Sequence, residues 1–456
     1  SVTVTPRWAP DETGPVGRAT RVEQRVPVEP DAPVGTDAAV DSNAPAESID
    51  RHEATDPVEH RAGPPVRVVQ LVTTMARGGA QATVIGSSAG MDPSVRVIVL
   101  AGRDTTEEGT YWGSAELRAV DTIVVPRLVR SLSPKNDLAA LWWLVRWLRR
   151  NRPDVMHTHS SKAGVLGRIA ARLVGIPCAH TVHGWGPVSV APRSVRFAVL
   201  MIERLLARLS DALVVVGRPD LDFGLDRRIG DPSRYRLIRS GVDTSTAEAA
   251  AAERTVVRND LGLDGRYVVG MVARMSPQKD HTTLLHAFAG AAIPDSTLVL
   301  IGDGPLRTEV AALAERLDIA DRVRFLGMRP DAARLVAGFD VSVLSSRWEG
   351  MPRTVVEAAA AGVPVIATDV GAVSELIEDG RAGTLVPPGD IGRLTAALRA
   401  VSGEPSVAGL MADTARAATE QFSIEHMRSE LTDLWRDLGG RQDQRRQTDR
   451  PRPRAR

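Results

Sequence analysis

The sequence predicts an α/β protein built from two parallel-sheet domains that face each other across a cleft. Short apolar runs alternate with helical patterns, the mark of βαβ units and parallel sheets. The alternation breaks near residues 240–265 and then restarts. The length of 456 residues suits two domains, since a domain usually takes roughly 100–200. A hydrophobic content of 43% is ample for packed cores.

Residues 1–65 are rich in Pro, Ala, Asp, Glu and Thr and poor in aliphatics beyond Val. Such a segment buries too little apolar area to offset chain entropy, so it is expected to be disordered. The first domain is placed at 66–245. Val66–Val72 reads as its first strand, Thr73–Gln81 as a loop carrying Gly78-Gly79, with a helix following. Further strands are expected at Val95–Leu100, Thr122–Val125, Val155-Met156, Cys178–Val182 and Leu213–Val216. Helical patterns lie between them, at Asp137–Arg150 and Lys162–Val174.

The second domain, 246–422, repeats the alternation. Its strands are expected at Tyr267–Ala273, Thr297–Ile301, Val323–Leu326, Val341–Leu344, Val363–Thr368 and Gly383–Val386. Helices are expected at Asp280–Gly290 and Arg307–Arg316, and a last helix, Ile424–Leu438, occupies 423–440. The Arg- and Gln-rich stretch 441–456 reads as a disordered basic tail.

Composition excludes several function classes. A net charge of +1 and 4% aromatic residues give no footing for nucleic acid. The single cysteine, Cys178, forbids an internal disulfide and fits a reducing compartment. No apolar stretch is long enough to span a bilayer, and no secretory leader is expected, which points to the cytoplasm.

The densest chemistry lies in Trp348–Glu357. Glu349 and Gly350 form a loop after a buried strand, Pro352 suits the first position of a helix, and Glu357 falls about one turn in. A helix N-terminus offers free N–H groups to phosphate. A carboxylate on either side of it can grip hydroxyls flanking a diphosphate, the layout a sugar nucleotide needs. The alternative is a solvent-facing loop Glu and a helix-surface Glu. Arg274 and Lys279 leave one strand end together and can stabilise a departing diphosphate; they can also be plain surface cations. Asp280 suits a helix cap.

Gly302-Asp303-Gly304-Pro305 is either a tight turn or a close backbone approach to a ligand. Gly78 and Gly79 offer backbone to a phosphate or sugar but lack the third glycine of a dinucleotide fingerprint. His157, His159, His180 and His183 cluster in sequence. Few carboxylates lie nearby, so a polar cluster at strand ends is favoured over a metal site, with His183 pointing into the cleft. Asp220-Leu221-Asp222 is a weak metal–nucleotide pattern. Asp137–Arg150 and Arg193–Arg208 mix tryptophan or aliphatic residues with arginine, fitting either a membrane interface or a core helix with a basic outer face.

Taken together these residues resemble the retaining glycosyltransferases of family 4, which share the GT-B fold of two Rossmann-like domains. The matching pieces are Gly78-Gly79, His157–Gly164, His183–Gly186, Arg274 with Pro277–Asp280, Gly302–Pro305 and the Glu349…Glu357 pair. They cover roughly residues 66–438. The resemblance implies that Arg274 and Lys279 bind the donor diphosphate, Glu349 orients the transferred sugar, and Glu357 holds the ribose hydroxyls. Backbone near Gly78, Gly79, Gly302 and Gly304, and the amides from Gly350 and Met351 to Arg353 and Thr354, would face the donor. His183 would meet the donor sugar from the acceptor side. The final helix would cross back onto the first domain. No cofactor and no metal is implied.

The expected partners are a nucleotide-sugar, UDP by family frequency, and a glycan or lipid-linked acceptor, with peripheral contact at the inner membrane face. Gln81 stands where Glu is frequent in the family, and Pro352 where some members have Gly. Both blur donor preference. The resemblance implies retention of configuration through an oxocarbenium-like state, and no carboxylate pair is arranged as in a hydrolase. Two rivals remain: a nucleotide-sugar epimerase of similar layout, and a catalytically silent nucleotide-binding protein.

Overall fold

The computed structural model describes residues 64–103 and 109–448. The disorder expected of residues 1–63 and 449–456 lies outside the described residues.

Seven parallel strands form the first sheet: β1 (Val66–Thr74), β2 (Val95–Gly102), β3 (Thr122–Val124), β4 (Val155–His159), β5 (Cys178–Val182), β6 (Ala212–Val215) and β7 (Tyr235–Leu237). Their order is β3-β2-β1-β4-β5-β6-β7. Val68, Val69, Leu71 and Val72 of β1 are fully buried, as a central strand covered on both faces must be. Six parallel strands form the second sheet: β8 (Tyr267–Val272), β9 (Ser296–Ile301), β10 (Val323–Gly327), β11 (Val341–Leu344), β12 (Val365–Thr368) and β13 (Thr384–Val386). Their order, β10-β9-β8-β11-β12-β13, reverses beside the first strand just as in the first sheet. Helices cover both sheets, with separate apolar clusters packed about Phe339 and about Phe288 in the second lobe.

The chain passes between the lobes twice, and the two passages are joined. The Val242 N–H donates to the Phe422 carbonyl at 2.9 Å, and the Ile424 N–H to the Val242 carbonyl at 3.1 Å. The last helix, Ile424–Thr448, then lies on the first sheet. Trp435, wholly buried, packs with Val68, Val97, Val155 and Val214.

Several boundaries differ from the sequence reading. β7 was not foreseen, because its central arginine interrupts the apolar run; it forms by pairing with β6. The strand expected from Val363 opens at Val365, after Pro364, which has no N–H for a ladder. The helix expected from Asp280 opens at His281. The tail expected to be disordered from residue 441 is helical as far as Thr448. Arg441 reaches back to Asp437 at 2.8 Å, and Arg and Gln are good helix formers.

Candidate active site

Strand order reverses between β1 and β4 in one sheet and between β8 and β11 in the other. Ligands of open α/β sheets bind outside the carboxyl ends of the strands at such a reversal. The Gly78-Gly79 loop leaves β1, the Arg274–Lys279 loop leaves β8, and Glu349 follows β11. These segments therefore meet because of the topology, not because they are close in sequence.

The loops after β8 and β11 are zipped together. Lys279 Nζ pairs with Glu349 Oε1 at 2.5 Å, both side chains largely buried. Gln278 Nε2 donates to the Trp348 carbonyl at 2.9 Å and to Glu349 Oε2 at 3.3 Å. Ser345 Oγ donates to the Lys279 carbonyl at 2.9 Å. Asp280 caps the helix His281–Ala291 by accepting from the Thr283 N–H, and it also accepts from Arg347 Nε at 3.0 Å. The loop is thus held rigid on both sides of Lys279, while Arg274 sits half-buried at its start.

Gly302 and Gly304 have a different first duty from the one their sequence suggested. With φ of +131° and +157°, a Cβ on them would lie 2.1 Å from the Ala273 carbonyl and 2.4 Å from that of Met275. They let the β9 loop press on the Arg274 loop. Asp303 closes the turn, accepting from the Gly304 N–H at 2.8 Å.

The lobes touch at His183-Gly184 and Glu349-Gly350. A Cβ on Gly350 would stand 2.1 Å from the His183 carbonyl oxygen, and Gly184 (φ +125°) faces the Gly350 Cα. Trp348 fills the space over Gly186. Asp220 anchors this loop: it accepts from the Trp185 N–H at 2.9 Å, and its carbonyl accepts from Trp185 Nε1 at 3.1 Å. Burial raises the Asp220 carboxyl to about 6. The Asp220-Leu221-Asp222 pattern is accordingly part of a loop anchor on the helix Arg218–Asp226.

The helix Arg353–Ala360 begins one residue later than expected, with Pro352 as its N-cap residue. Glu357 lies one turn in, its carboxyl raised by burial and drawn down by Arg353. Arg353 reaches across to the Gly241 carbonyl at 2.9 Å, and its Cδ lies 4.0 Å from where a Gly79 Cβ would stand. Its guanidinium therefore ties the interlobe linker, a duty the sequence did not disclose. Met351 packs on the second lobe's core; Thr354 is half-buried on the helix's first turn. Arg77 over Tyr111, centroid distance 5.0 Å, adds a first-lobe group near Arg353 that the sequence reading missed.

The histidines form hydrogen-bonded pairs. His157 Nε2 meets Thr181 Oγ1 at 2.7 Å, His180 Nδ1 meets Thr158 Oγ1 at 2.9 Å, and His159 Nδ1 meets His183 Nε2 at 3.1 Å. Burial pushes His157 down to about 3 and His183 to about 4, and His159 well below its ordinary range, so all three are neutral at pH 7. Among the described residues, no three His, Cys, Asp or Glu side chains converge as a metal site.

A family model described as a glycosyl transferase 4-like domain matches residues 62–241, and one described as glycosyl transferases group 1 matches residues 266–403. An Escherichia coli UDP-Gal:alpha-D-GlcNAc-diphosphoundecaprenol alpha-1,3-galactosyltransferase is 32% identical over 328 residues, 70% of this chain and 84% of that protein. The chain belongs to the group 1 glycosyltransferases of the family 4 type.

The glycosyltransferase is also 28% identical over 332 residues to the putative glycosyltransferase EpsD of Bacillus subtilis, covering 71% of its own length and 87% of the relative. Its fold matches Anabaena HepE, solved with UDP and glucose, at a TM-score of 0.72 and 23% identity over 82% of this chain and 100% of that one. WaaG, a glycosyltransferase involved in lipopolysaccharide biosynthesis, matches at a TM-score of 0.61 and 18% identity over 80% and 99%. The GT-B fold expected from the resemblance is the fold observed.

Proposed function

We propose that this glycosyltransferase moves a sugar from a UDP-sugar to a hydroxyl of a glycan or lipid-linked acceptor, with retention of configuration and without a bound metal. The observation that carries the proposal is the 2.5 Å Lys279–Glu349 contact at the reversal of the second sheet, beside the loop pressed against His183. A fixed cation there lowers the cost of charge growing on a leaving diphosphate. Glu349 orients the sugar, and Glu357 holds the ribose hydroxyls. Arg274 is the second cation of the set. In the reaction the anomeric carbon–oxygen bond to the diphosphate breaks, the acceptor oxygen attaches on the same face, and its proton passes to the departing UDP.

Two observations support a lipid-linked acceptor. The E. coli relative's name specifies an undecaprenol diphosphate-linked substrate. The helix Arg193–Ala207 exposes Phe197 at 66% and Leu205 at 60%, and Trp142 on Pro134–Asn151 is 64% exposed. Arg193, Arg208 and Arg146 are exposed beside them, a composition suited to an anionic bilayer surface. Among the described residues no helix is long and apolar enough to cross a membrane. The proposal is peripheral attachment at the cytoplasmic face.

The test is a thermal-shift screen of UDP- and GDP-sugars, then UDP release from the best donor with and without diphosphate-lipid-linked GlcNAc. Acceptor-dependent release supports transfer. Isomerisation of the donor alone would establish the epimerase instead, and binding with no turnover on any acceptor would establish a silent binder.

A further inference from the structure

We propose that Glu375 is a positioning residue for transfer: it clasps the two lobes so that the His183 turn of the first and the Glu349-Gly350 turn of the second meet. The proposal rests on the reading that these two turns flank the donor sugar.

Glu375 lies on the short helix Val373–Leu376, which follows β12 in the second lobe. Both of its carboxylate oxygens are taken by groups from across the interface. Oε1 accepts from the Arg218 N–H, at the start of the first-lobe helix Arg218–Asp226. Oε2 accepts from Arg239 Nε at 3.1 Å and from Arg239 Nη2 at 2.6 Å. The Glu375 and Arg239 side chains are 12% and 21% exposed, so solvent screens these charge-assisted bonds little. The fit is close. A Cβ on Gly217 would stand 2.5 Å from the Ala372 Cβ and 3.0 Å from Glu375 Oε1. Arg239 also lies over the Phe422 ring, 5.3 Å from its centroid, so its guanidinium joins Glu375 to both interlobe passages.

From Glu375 two routes lead to the same place. In the second lobe, Ala372 precedes the helix, and its N–H donates to the Gly350 carbonyl at 2.8 Å. Gly371 (φ +56°) presses on the same turn: a Cβ there would lie 2.4 Å from the Gly350 oxygen and 2.6 Å from the Glu349 oxygen. In the first lobe, Asp220 stands two residues after Arg218 and accepts from the Trp185 N–H, which fixes the loop that begins at His183-Gly184. The routes close where Gly350 packs on the His183 carbonyl. Glu375 joins the two halves of this ring.

The groups assigned to the donor, Arg274, Lys279, Glu349 and Glu357, all belong to the second lobe, whereas His183 comes from the first. Opening the clasp therefore leaves donor affinity largely in place and withdraws the first lobe. Turnover then scales with the fraction of molecules that are closed.

The test uses the full-length chain with one spin label on each lobe, introduced through Arg150→Cys and Glu315→Cys at exposed positions; the native Cys178 is buried and stays unlabelled. Double electron–electron resonance reads the interlobe distance without substrate. Glu375→Ala should add a longer-distance population absent from the parent. Glu375→Gln, which can still accept from the Arg218 N–H, should fall between the two. With a UDP-sugar that the parent turns over, Glu375→Ala should lower kcat per folded molecule about tenfold and change the donor KM by less than about threefold. Arg239→Gln should lower kcat as Glu375→Gln does, and the double variant little further, because each change removes the same contact. A parental distance distribution in folded Glu375→Ala overturns the clasp. So do kcat losses that multiply in the double variant, or a raised KM at unchanged kcat. The distances need no turnover, so a protein that transfers no sugar would refute the proposed function while the clasp is still judged by its own measurement.

Discussion

Replacing Lys279 with Met separates a structural ion pair from a catalytic one. The Lys279 and Glu349 side chains are 18% and 8% exposed. Breaking a fully buried pair costs about 3–5 kcal/mol, because the remaining charge is stranded. Here Lys279 keeps some solvent, and Gln278 Nε2 still reaches Glu349 Oε2 at 3.3 Å. The discounted cost is about 2 kcal/mol, a fall of about 4 °C in Tm. Turnover should fall much further, about 10²–10³-fold, the usual loss when one preorganised stabiliser of developing charge is removed. Adding Glu349→Gln removes the stranded carboxylate and should recover most of the stability, since replacing both partners is often nearly neutral. It should recover none of the turnover. Differential scanning fluorimetry gives one axis and initial-rate UDP release the other. If the double variant regained both stability and rate, or if Lys279→Met alone kept more than a tenth of kcat, the pair would be a strut and the catalytic reasoning wrong.

Other perturbations have equally definite outcomes. Gly350→Ala puts a methyl 2.1 Å from the His183 carbonyl, so the lobes must part locally by about 1 Å; about 10²-fold loss of kcat/KM is expected with little change in melting, and wild-type kinetics would show the contact to be incidental. Trp435→Ala empties a wholly buried site in the first lobe and should cost about 3–5 kcal/mol in urea denaturation; a loss below about 1 kcal/mol would mean the helix is loosely docked. Burial holds His157 down to about 3 and His281 to about 4, so the unfolded chain binds protons that the folded one refuses. Stability should therefore fall as pH drops from about 6.5 toward 4, by up to about 1.4 kcal/mol per unit for each ring. Asp220, raised to about 6, takes its proton earlier in the folded state and offsets part of that loss between about pH 6 and 4. His157→Gln should flatten the urea-midpoint slope against pH by one proton; an unchanged slope would mean that His157 is not the group responsible.

Most of the fold was readable because buried parallel strands write themselves as unbroken apolar runs. β1 and β11 are of this kind, and their expected limits lie within two residues of those observed. β7 was not readable, since Arg236 breaks a three-residue run whose only support is its neighbour. The site was readable where motif and strand end coincide, as at Lys279 and Glu349. It was not where groups meet across long separations. Glu375 accepts from Arg239 at 2.6 Å across 136 residues, and Arg353 reaches Gly241 across 112. No local pattern records such partners. Gly302 and Gly304 show the converse: a motif visible in the sequence whose role in the structure is to let two loops lie flush.

The placement of Trp435 has a consequence for how the polypeptide matures. The amino-terminal half leaves the ribosome long before the segment that plugs its apolar floor, with the whole carboxy-terminal half synthesised in between. That half can complete itself first, while its predecessor waits with Val68, Val97 and Val155 uncapped. The first lobe is thus finished only after the second has been made, and removing the helix that carries Trp435 should expose the first lobe's core and promote aggregation.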